Sequence, residues 1–249
     1  MRSTIMEFNT IQVMEKVEGV GIIILNRPER RNAISIEMRL EISKCLNAWK
    51  TSKEIGAVIF TGSGSAFSAG FDLNEFDQPE LFKGIFESSS KYHREVWNFP
   101  KPTIASVNGP AMAGGFDLTT LCDIRICSES ASFGHPEIKF GVPPLFTPLR
   151  WIIGDGLARD LCLTGRRIDG QEAYRIGLVS EIVRKDGLLE QSVRIGTMIR
   201  EAPLEALQYT KRYLVGNAGY GFEECFQVEH DRAFQEFLQT RKYEKLGLK

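Results

Sequence analysis

The sequence predicts an α/β core followed by a helical tail. Strand-like and helix-like stretches interleave through about residue 185, and beyond it the pattern is helical only. Two glycine-bearing bends, each directly after a strand-like run, mark the middle of that core. One is Phe67-Ser68-Ala69-Gly70-Phe71-Asp72-Leu73, and the other runs from Asn108 through Gly114 and Gly115 to Asp117. The third observation is size and balance. With 249 residues, 43% hydrophobic and 25% charged, the chain can bury the core of one large domain or one domain with an appendage. The expected division is residues 1–190 for the α/β core and 191–249 for the helical region, which also suits oligomerisation.

Taken in order, Ile11 to Val17 alternates apolar and polar and reads as a strand with one exposed face. Gly19 breaks it, and the β-branched run Val20 to Leu25 reads as its buried hairpin partner. Asn26 to Asn32 is a loop by composition. Ser35 suits a helix N-cap, and Met38, Ile42, Cys45, Leu46 and Trp49 recur at helical spacing as far as Lys50. Ala57 to Thr61 is the next buried strand, ended by Gly62-Ser63-Gly64. Leu73 to Lys83, punctuated by Pro79, reads as a loop over the first bend. Phe82 to Trp97 is helical, with Ile85, Tyr92, Val96 and Trp97 facing inward.

Pro102 to Val107 is a strand leading into the second bend, and Gly114 to Cys122 is a buried helix. Asp123 to Cys127 and Ala131 to Gly134 are short strands, and Gly141 to Pro148 is irregular. Helices are expected over Gly156–Leu163, Gly170–Ile176, Leu188–Arg200 and Leu204–Val215, with a last strand over Leu178–Val183. Phe222 to Thr240 reads as a long amphipathic helix whose apolar face needs the core or a neighbouring subunit.

Several function classes are disfavoured. A net charge of −1 supplies no basic field for nucleic acid or an anionic membrane. No apolar run approaches the roughly 18 residues of a membrane span, and Met1 to Thr10 does not read as a signal peptide. The five scattered cysteines, without a CxxC, fit reduced thiols in a cytoplasmic compartment. The three histidines, His93, His135 and His230, lie far apart in sequence, so no metal site is expected.

The chemistry is carried by the two bends. Glycine lets a main chain turn tightly and approach a ligand closely. Two such bends can aim two backbone N–H groups, those of Phe71 and Gly114, at one carbonyl oxygen as an oxyanion hole. The carboxylates of Asp117 and Glu137 then stand ready for proton transfer beside it. Asp117 lies in an otherwise apolar stretch, where an idle carboxylate is costly. Plainer roles compete at other positions. Glycines serve ordinary turns, Asp72 suits a helix cap, His93 suits packing, and His135 suits orienting Glu137. Arg30 and Arg31 suit phosphate contacts or an exposed charged loop.

These residues resemble the crotonase family, also called enoyl-CoA hydratase/isomerase. The matching stretches are Leu25-Asn26-Arg27-Pro28 with Asn32-Ala33, both bends, Cys122-Asp123-Ile124-Arg125, and Phe133-Gly134 with Pro136-Glu137 and Gly141. Leu163-Thr164-Gly165-Arg166-Arg167 and Glu172-Ala173 with Gly177-Leu178-Val179 continue the match. The resemblance implies a crotonase-like spiral of ββα units with a C-terminal helical region, assembled as a homotrimer or dimer of trimers. It implies an acyl-CoA thioester substrate and no separate cofactor, CoA being part of the substrate. It puts the oxyanion-hole amides on Phe71 and Gly114 and the hydratase carboxylates on Asp117 and Glu137. It puts the CoA and substrate cleft on Arg27, Arg30, Arg31, Ala33, Ala69, Gly70, Asp72 and Leu73.

Three departures bear on the reaction. Asp117 stands where hydratases most often carry Glu, which shortens the arm by one methylene. Members that isomerise dienoyl-CoA also carry Asp there, with a further acid where this chain has Leu145. Pro143-Pro144-Leu145-Phe146-Thr147-Pro148 replaces the usual glycine-rich turn, and the chain ends at Lys249 soon after the long helix, so a shortened closing helix is expected. The leading expectation is an enoyl-CoA hydratase. An enoyl-CoA isomerase, another reaction of the family such as thioester hydrolysis or decarboxylation, and a catalytically silent acyl-CoA binder are the alternatives.

Overall fold

A computed structural model describes residues 7–216, 221–227, 231 and 235. Ile11–Val17 (β1) pairs antiparallel with Val20–Leu25 (β2), and Gly19, at φ +78°, makes the turn between them. Ser35 accepts a hydrogen bond from the Met38 N–H and starts α1 (Ile36–Lys50). Ala57–Gly62 (β3) follows, then the first glycine bend, two short 3-10 turns at Leu73–Glu75 and Pro79–Leu81, and α2 (Phe82–Trp97). Thr103–Val107 (β4) and Pro110–Met112 (β5) lead through the second bend into α3 (Gly114–Leu121). Ile124–Ser128 (β6) and Ser132–Gly134 (β7) precede α4 (Thr147–Thr164), Arg167–Asp169 (β8), α5 (Gly170–Arg175) and Glu181–Val183 (β9). The helices α6 (Leu188–Arg200), α7 (Leu204–Gly216) and α8 (Phe222–Phe226) complete the described part.

The strands form two sheets. The larger has the order β1-β2-β3-β4-β6-β9, parallel except for the β1–β2 hairpin. The smaller has the order β5-β7-β8, and a bridge from Ser68 to Ala111 extends it toward the first bend. The chain therefore spirals. Each turn gives a strand to the large sheet and then a short one to the small sheet: β3 then Ser68, β4 then β5, β6 then β7. A large-sheet strand is covered on both faces, so it reads as a continuous apolar run. β3 and β4 are buried almost throughout, as that predicts. The face opposite the main core is closed by α6, whose Leu189, Val193, Ile195 and Ile199 pack on Val20, Ile22, Ala57 and Ile59.

The structure differs from the sequence reading at a few places. β5 and β8 were not expected; at three residues each, they are too short for periodicity to reveal. α4 begins at Thr147 rather than Gly156, because Gly154 breaks it at φ +79° and ψ 160° and splits its periodicity. The last strand begins at Glu181 rather than Leu178. Of the helix expected over Phe222–Thr240, only Phe222–Phe226 is described as regular α-helix; most of the rest lies outside the described residues.

Candidate functional site

The carboxyl ends of β5 and β7 lie side by side, Met112 opposite Gly134, and the Ala113 N–H donates to the Gly134 carbonyl at 3.0 Å. From that shared edge one chain turns into α3, carrying Asp117, while the other passes His135 and Pro136 into the 3-10 turn Pro136–Phe140, carrying Glu137. Carboxyl ends of parallel strands are where α/β proteins gather ligands. Ala113 makes its turn at φ +50° and ψ −127°, a conformation a residue with a side chain adopts only under strain.

The two bends meet here. A methyl group on Gly70 would lie 3.3 Å from the Gly114 nitrogen, and one on Gly114 would lie 2.7 Å from Phe71 Cδ1. Only glycine at both positions lets the turns approach so closely. Gly114 opens α3, so its N–H is one of the donors a helix leaves without an intrahelical acceptor. The Ile34 N–H donates to the Gly70 carbonyl and the Asp72 N–H to the Ile34 carbonyl. In such a parallel bridge Phe71 directs its own N–H to the side away from Ile34.

Asp117, His135 and Glu137 form one cluster, Asp117 and His135 buried and Glu137 half-buried. His135 Nδ1 lies 2.8 Å from Glu137 Oε1 and 3.9 Å from Asp117 Oδ1. The imidazole is wholly buried and packs on the Phe116 ring with centroids 4.7 Å apart. Burial pushes the Asp117 carboxyl up to about 8; His135 opposes that rise and Glu137 adds to it. For His135, burial works against the charged ring, but the charge and hydrogen bond of Glu137, with Asp117 behind it, carry it above its ordinary value. The Asp117 acid is therefore held neutral at pH 7, beside an imidazole biased toward its cation. Such a pair of unlike proton carriers suits proton transfer at the carbon atoms next to a carbonyl.

The expected cleft residues lie on the loop after β2 and on the first bend, which are tied to each other. Arg27 Nη1 is 2.7 Å from Asp72 Oδ2, and the same nitrogen donates to the Ala33 carbonyl. Asp72 also caps the turn Leu73–Glu75 by accepting from the Asn74 N–H, as the cap reading anticipates. Arg30, Arg31, Ala69 and Leu73 are exposed, Ala33 is half-buried and Gly70 is buried. The Ala69 N–H donates to the Arg31 carbonyl and so ties the two loops together. His93 is packed between the rings of Phe71 and Phe226, with its Nδ1–H on the Ser89 carbonyl. Leu145 is buried in the main core.

One supporting residue escaped the sequence reading. Arg39 is fully buried on α1, its guanidinium 4.6 Å from the centre of the Phe71 ring. It donates to Ser88 Oγ, the Ile34 carbonyl and Glu75 Oε2, and Glu75 Oε1 accepts from the Ile36 N–H at the start of α1. Burial lowers Arg39 to about 10, which leaves it a cation at neutral pH. Its signal in the sequence is its place beside Met38 and before Ile42, on the inward face of the helix.

Comparison with known proteins gives a consistent result. The family profile described as Enoyl-CoA hydratase/isomerase matches residues 15–248. The "Probable enoyl-CoA hydratase" of Rhizobium meliloti is 36% identical over 238 residues, covering 94% of this chain and 92% of that protein. The "Short-chain-enoyl-CoA hydratase" of Clostridium acetobutylicum is 32% identical over 259 residues, covering 96% and 98%. The crystal structure of an enoyl-CoA hydratase/isomerase from Xanthobacter autotrophicus Py2 superposes with a TM-score of 0.81 at 31% identity, over 96% of both chains. With the bends meeting as they do in a spiral of this kind, the chain belongs to the enoyl-CoA hydratase/isomerase family.

Proposed function

We propose that this protein is an enoyl-CoA hydratase that adds water across the double bond of a 2-enoyl-CoA. The Phe71 and Gly114 amides hold the thioester oxygen as negative charge gathers on it, with the positive end of α3 at the same place. Glu137, fixed through Oε1 by His135, takes a proton from water as its oxygen bonds to Cβ. Asp117, held neutral by burial, gives a proton to Cα. The product gains one water, and proton exchange with solvent restores both carboxyl groups. The observation that carries this reading is the Asp117–His135–Glu137 cluster, with Asp117 and His135 buried, beside the two touching bends. A silent binder would need the amides and the cleft but not two carboxyls at this cost in desolvation.

The cleft for the CoA moiety is formed by Arg27, Arg30, Arg31, Ala33, Ala69, Gly70, Asp72 and Leu73, and no cofactor beyond the CoA of the substrate takes part. Residues 1–190 are the catalytic core, and residues 191–249 contribute to a homotrimer or dimer of trimers in the cytoplasm. Exposed Phe140, Leu157 and Leu163 offer apolar surface for such a contact. No helix among the described residues is long and apolar enough to cross a membrane. Sedimentation tests the assembly, and a clean monomer contradicts it. The reaction is tested by mass spectrometry of mixed 2-enoyl- and 3-enoyl-CoA esters incubated with the protein in deuterated water. Gain of one water establishes the hydratase; deuterium uptake or bond migration without added water makes it an isomerase with Glu137 as the base.

A further inference from the structure

In the hydration scheme His135 need be no more than a hydrogen-bond donor to Glu137, yet its surroundings ask for more than packing. The ring is wholly buried, packed at a tilt on Phe116, and fixed in the chain between the end of β7 and Pro136. One nitrogen, Nδ1, faces both carboxyls, at 2.8 Å from Glu137 Oε1 and 3.9 Å from Asp117 Oδ1. The remaining carboxyl oxygens of interest, Glu137 Oε2 and Asp117 Oδ1, are buried and have no hydrogen-bond partner among the described residues. Both carboxyls face this one nitrogen, and each carries a negative charge when ionised. A neutral hydrogen-bond donor would orient Glu137 but would set no charge opposite either carboxyl.

We propose that His135 is a positioning residue that works as an imidazolium between the two carboxyls, holding Glu137 as the base and so assigning the acid's part to Asp117. The proposal rests on the hydratase reading. The Nδ1–H occupies Oε1 and leaves Oε2 to take the proton from water. The positive charge sits 2.8 Å from Glu137 Oε1 while Asp117, farther from Nδ1 at 3.9 Å, keeps its proton. The titratable groups facing His135 are Asp117 from α3 and Glu137 from its own segment. Tyr92 on α2 feels Asp117 but is kept neutral by burial. Arg166, beside β8, is tied to Asp160 and Glu172.

The test is a nitrogen-15 NMR titration of the imidazoles in the whole protein, which has three histidines to assign. One ring, absent from the spectrum of His135→Gln, is expected to remain cationic at pH 7, and Glu137→Gln should move its titration to lower pH. In parallel, His135→Gln should lower kcat about 10- to 100-fold with KM within about threefold. Loss of the positive charge should also move the alkaline fall in activity to higher pH, because His135 holds the Asp117 proton less tightly bound than burial alone would. A ring that is neutral at pH 7 overturns the proposal. So does a His135→Gln enzyme with wild-type kcat and pH profile. Should His135→Gln fail to fold, the wild-type and Glu137→Gln titrations decide. If the wild-type protein adds no water to any ester while its imidazolium is still seen, the hydratase reading falls and the ion pair stands.

Discussion

Arg27 Nη1 lies 2.7 Å from Asp72 Oδ2, and this ion pair clamps the loop after β2 to the bend that carries Phe71. Asp72 is buried and Arg27 is one-fifth exposed at its side chain, so the pair is only partly screened by solvent. Asp72→Asn should cost roughly 1–3 kcal/mol. Calorimetry should show a Tm lower by about 3–9 °C. If the pair joins two walls of the proposed CoA cleft, KM for an acyl-CoA should rise more than kcat falls. A wild-type KM in a stable Asp72→Asn enzyme would leave the pair a purely structural clamp.

Asp117 predicts a particular pH dependence. Its folded pKa, about 8, lies above its unfolded value, so folding takes up a proton between the two. The stability tied to that proton is fully present below about pH 4 and is lost as pH rises toward 8. Asp117→Asn should therefore flatten the fall of Tm over this window and raise Tm at pH 8.5 by at least about 3 °C. Turnover should move the other way. Wild-type kcat/KM should decline as pH rises past about 8, and Asp117→Asn should lose about 10²- to 10⁴-fold at every pH. Full activity in Asp117→Asn would instead favour the single-base isomerase.

Glu137→Gln keeps the side-chain shape and can still meet His135, but it cannot take a proton. Turnover should drop by about 10²- to 10⁴-fold. Titration calorimetry with a saturated acyl-CoA should give a Kd within about threefold of wild type, since this carboxyl belongs to the reacting end of the site. Loss of binding in step with turnover would move Glu137 from chemistry to ligand recognition.

At Gly114 an added methyl would stand 2.7 Å from Phe71 Cδ1. The Phe71 ring cannot retreat freely, because Arg39 lies over it and His93 lies at its edge. Gly114→Ala should keep the fold by circular dichroism while lowering kcat about 10²- to 10³-fold, the scale of one lost oxyanion donor. An unimpaired Gly114→Ala enzyme would place the thioester oxygen elsewhere.

Arg39 is held by Ser88, Ile34 and Glu75 in a fully buried setting. Arg39→Met should leave the half-buried Glu75 beside an apolar chain and destabilise the protein by about 2–4 kcal/mol, read by urea unfolding. A double variant with Glu75→Gln should recover part of that loss. No recovery would mean that Arg39 acts through packing on Phe71 alone.

Much of the spiral was written locally. The runs Val20–Leu25, Ala57–Gly62 and Thr103–Val107 are apolar and β-branched enough to require burial on both faces. The Ser35 cap and the inward faces of α1 and α2 follow from side-chain type and helical spacing. The glycines of the two bends could be read as points of close approach, and the carboxyl pair could be named from its resemblance. Arg39 and the partner of Arg27 could not be read in the same way, whereas His135 was legible as orienting Glu137 from its place two residues before it. A charged residue in a sequence window gives no sign of whether it will meet solvent or a partner.

The sequence by itself determined which stretches must be buried and where the chain must turn, and it singled out Asp117 and Glu137, which the fold brings to one imidazole. Tertiary structure alone decided that β5 and β7 end side by side, and that His135 stands between Asp117 and Glu137. It likewise decided that Arg27 clamps Asp72 and that Arg39 lies buried over Phe71. The reason is one of range. Burial and turning follow from nearest-neighbour sterics and periodic hydrophobicity, which are properties of a few consecutive residues. The charge state of a buried group depends on the desolvation and partners that distant segments impose, and these exist only once the sheets have closed.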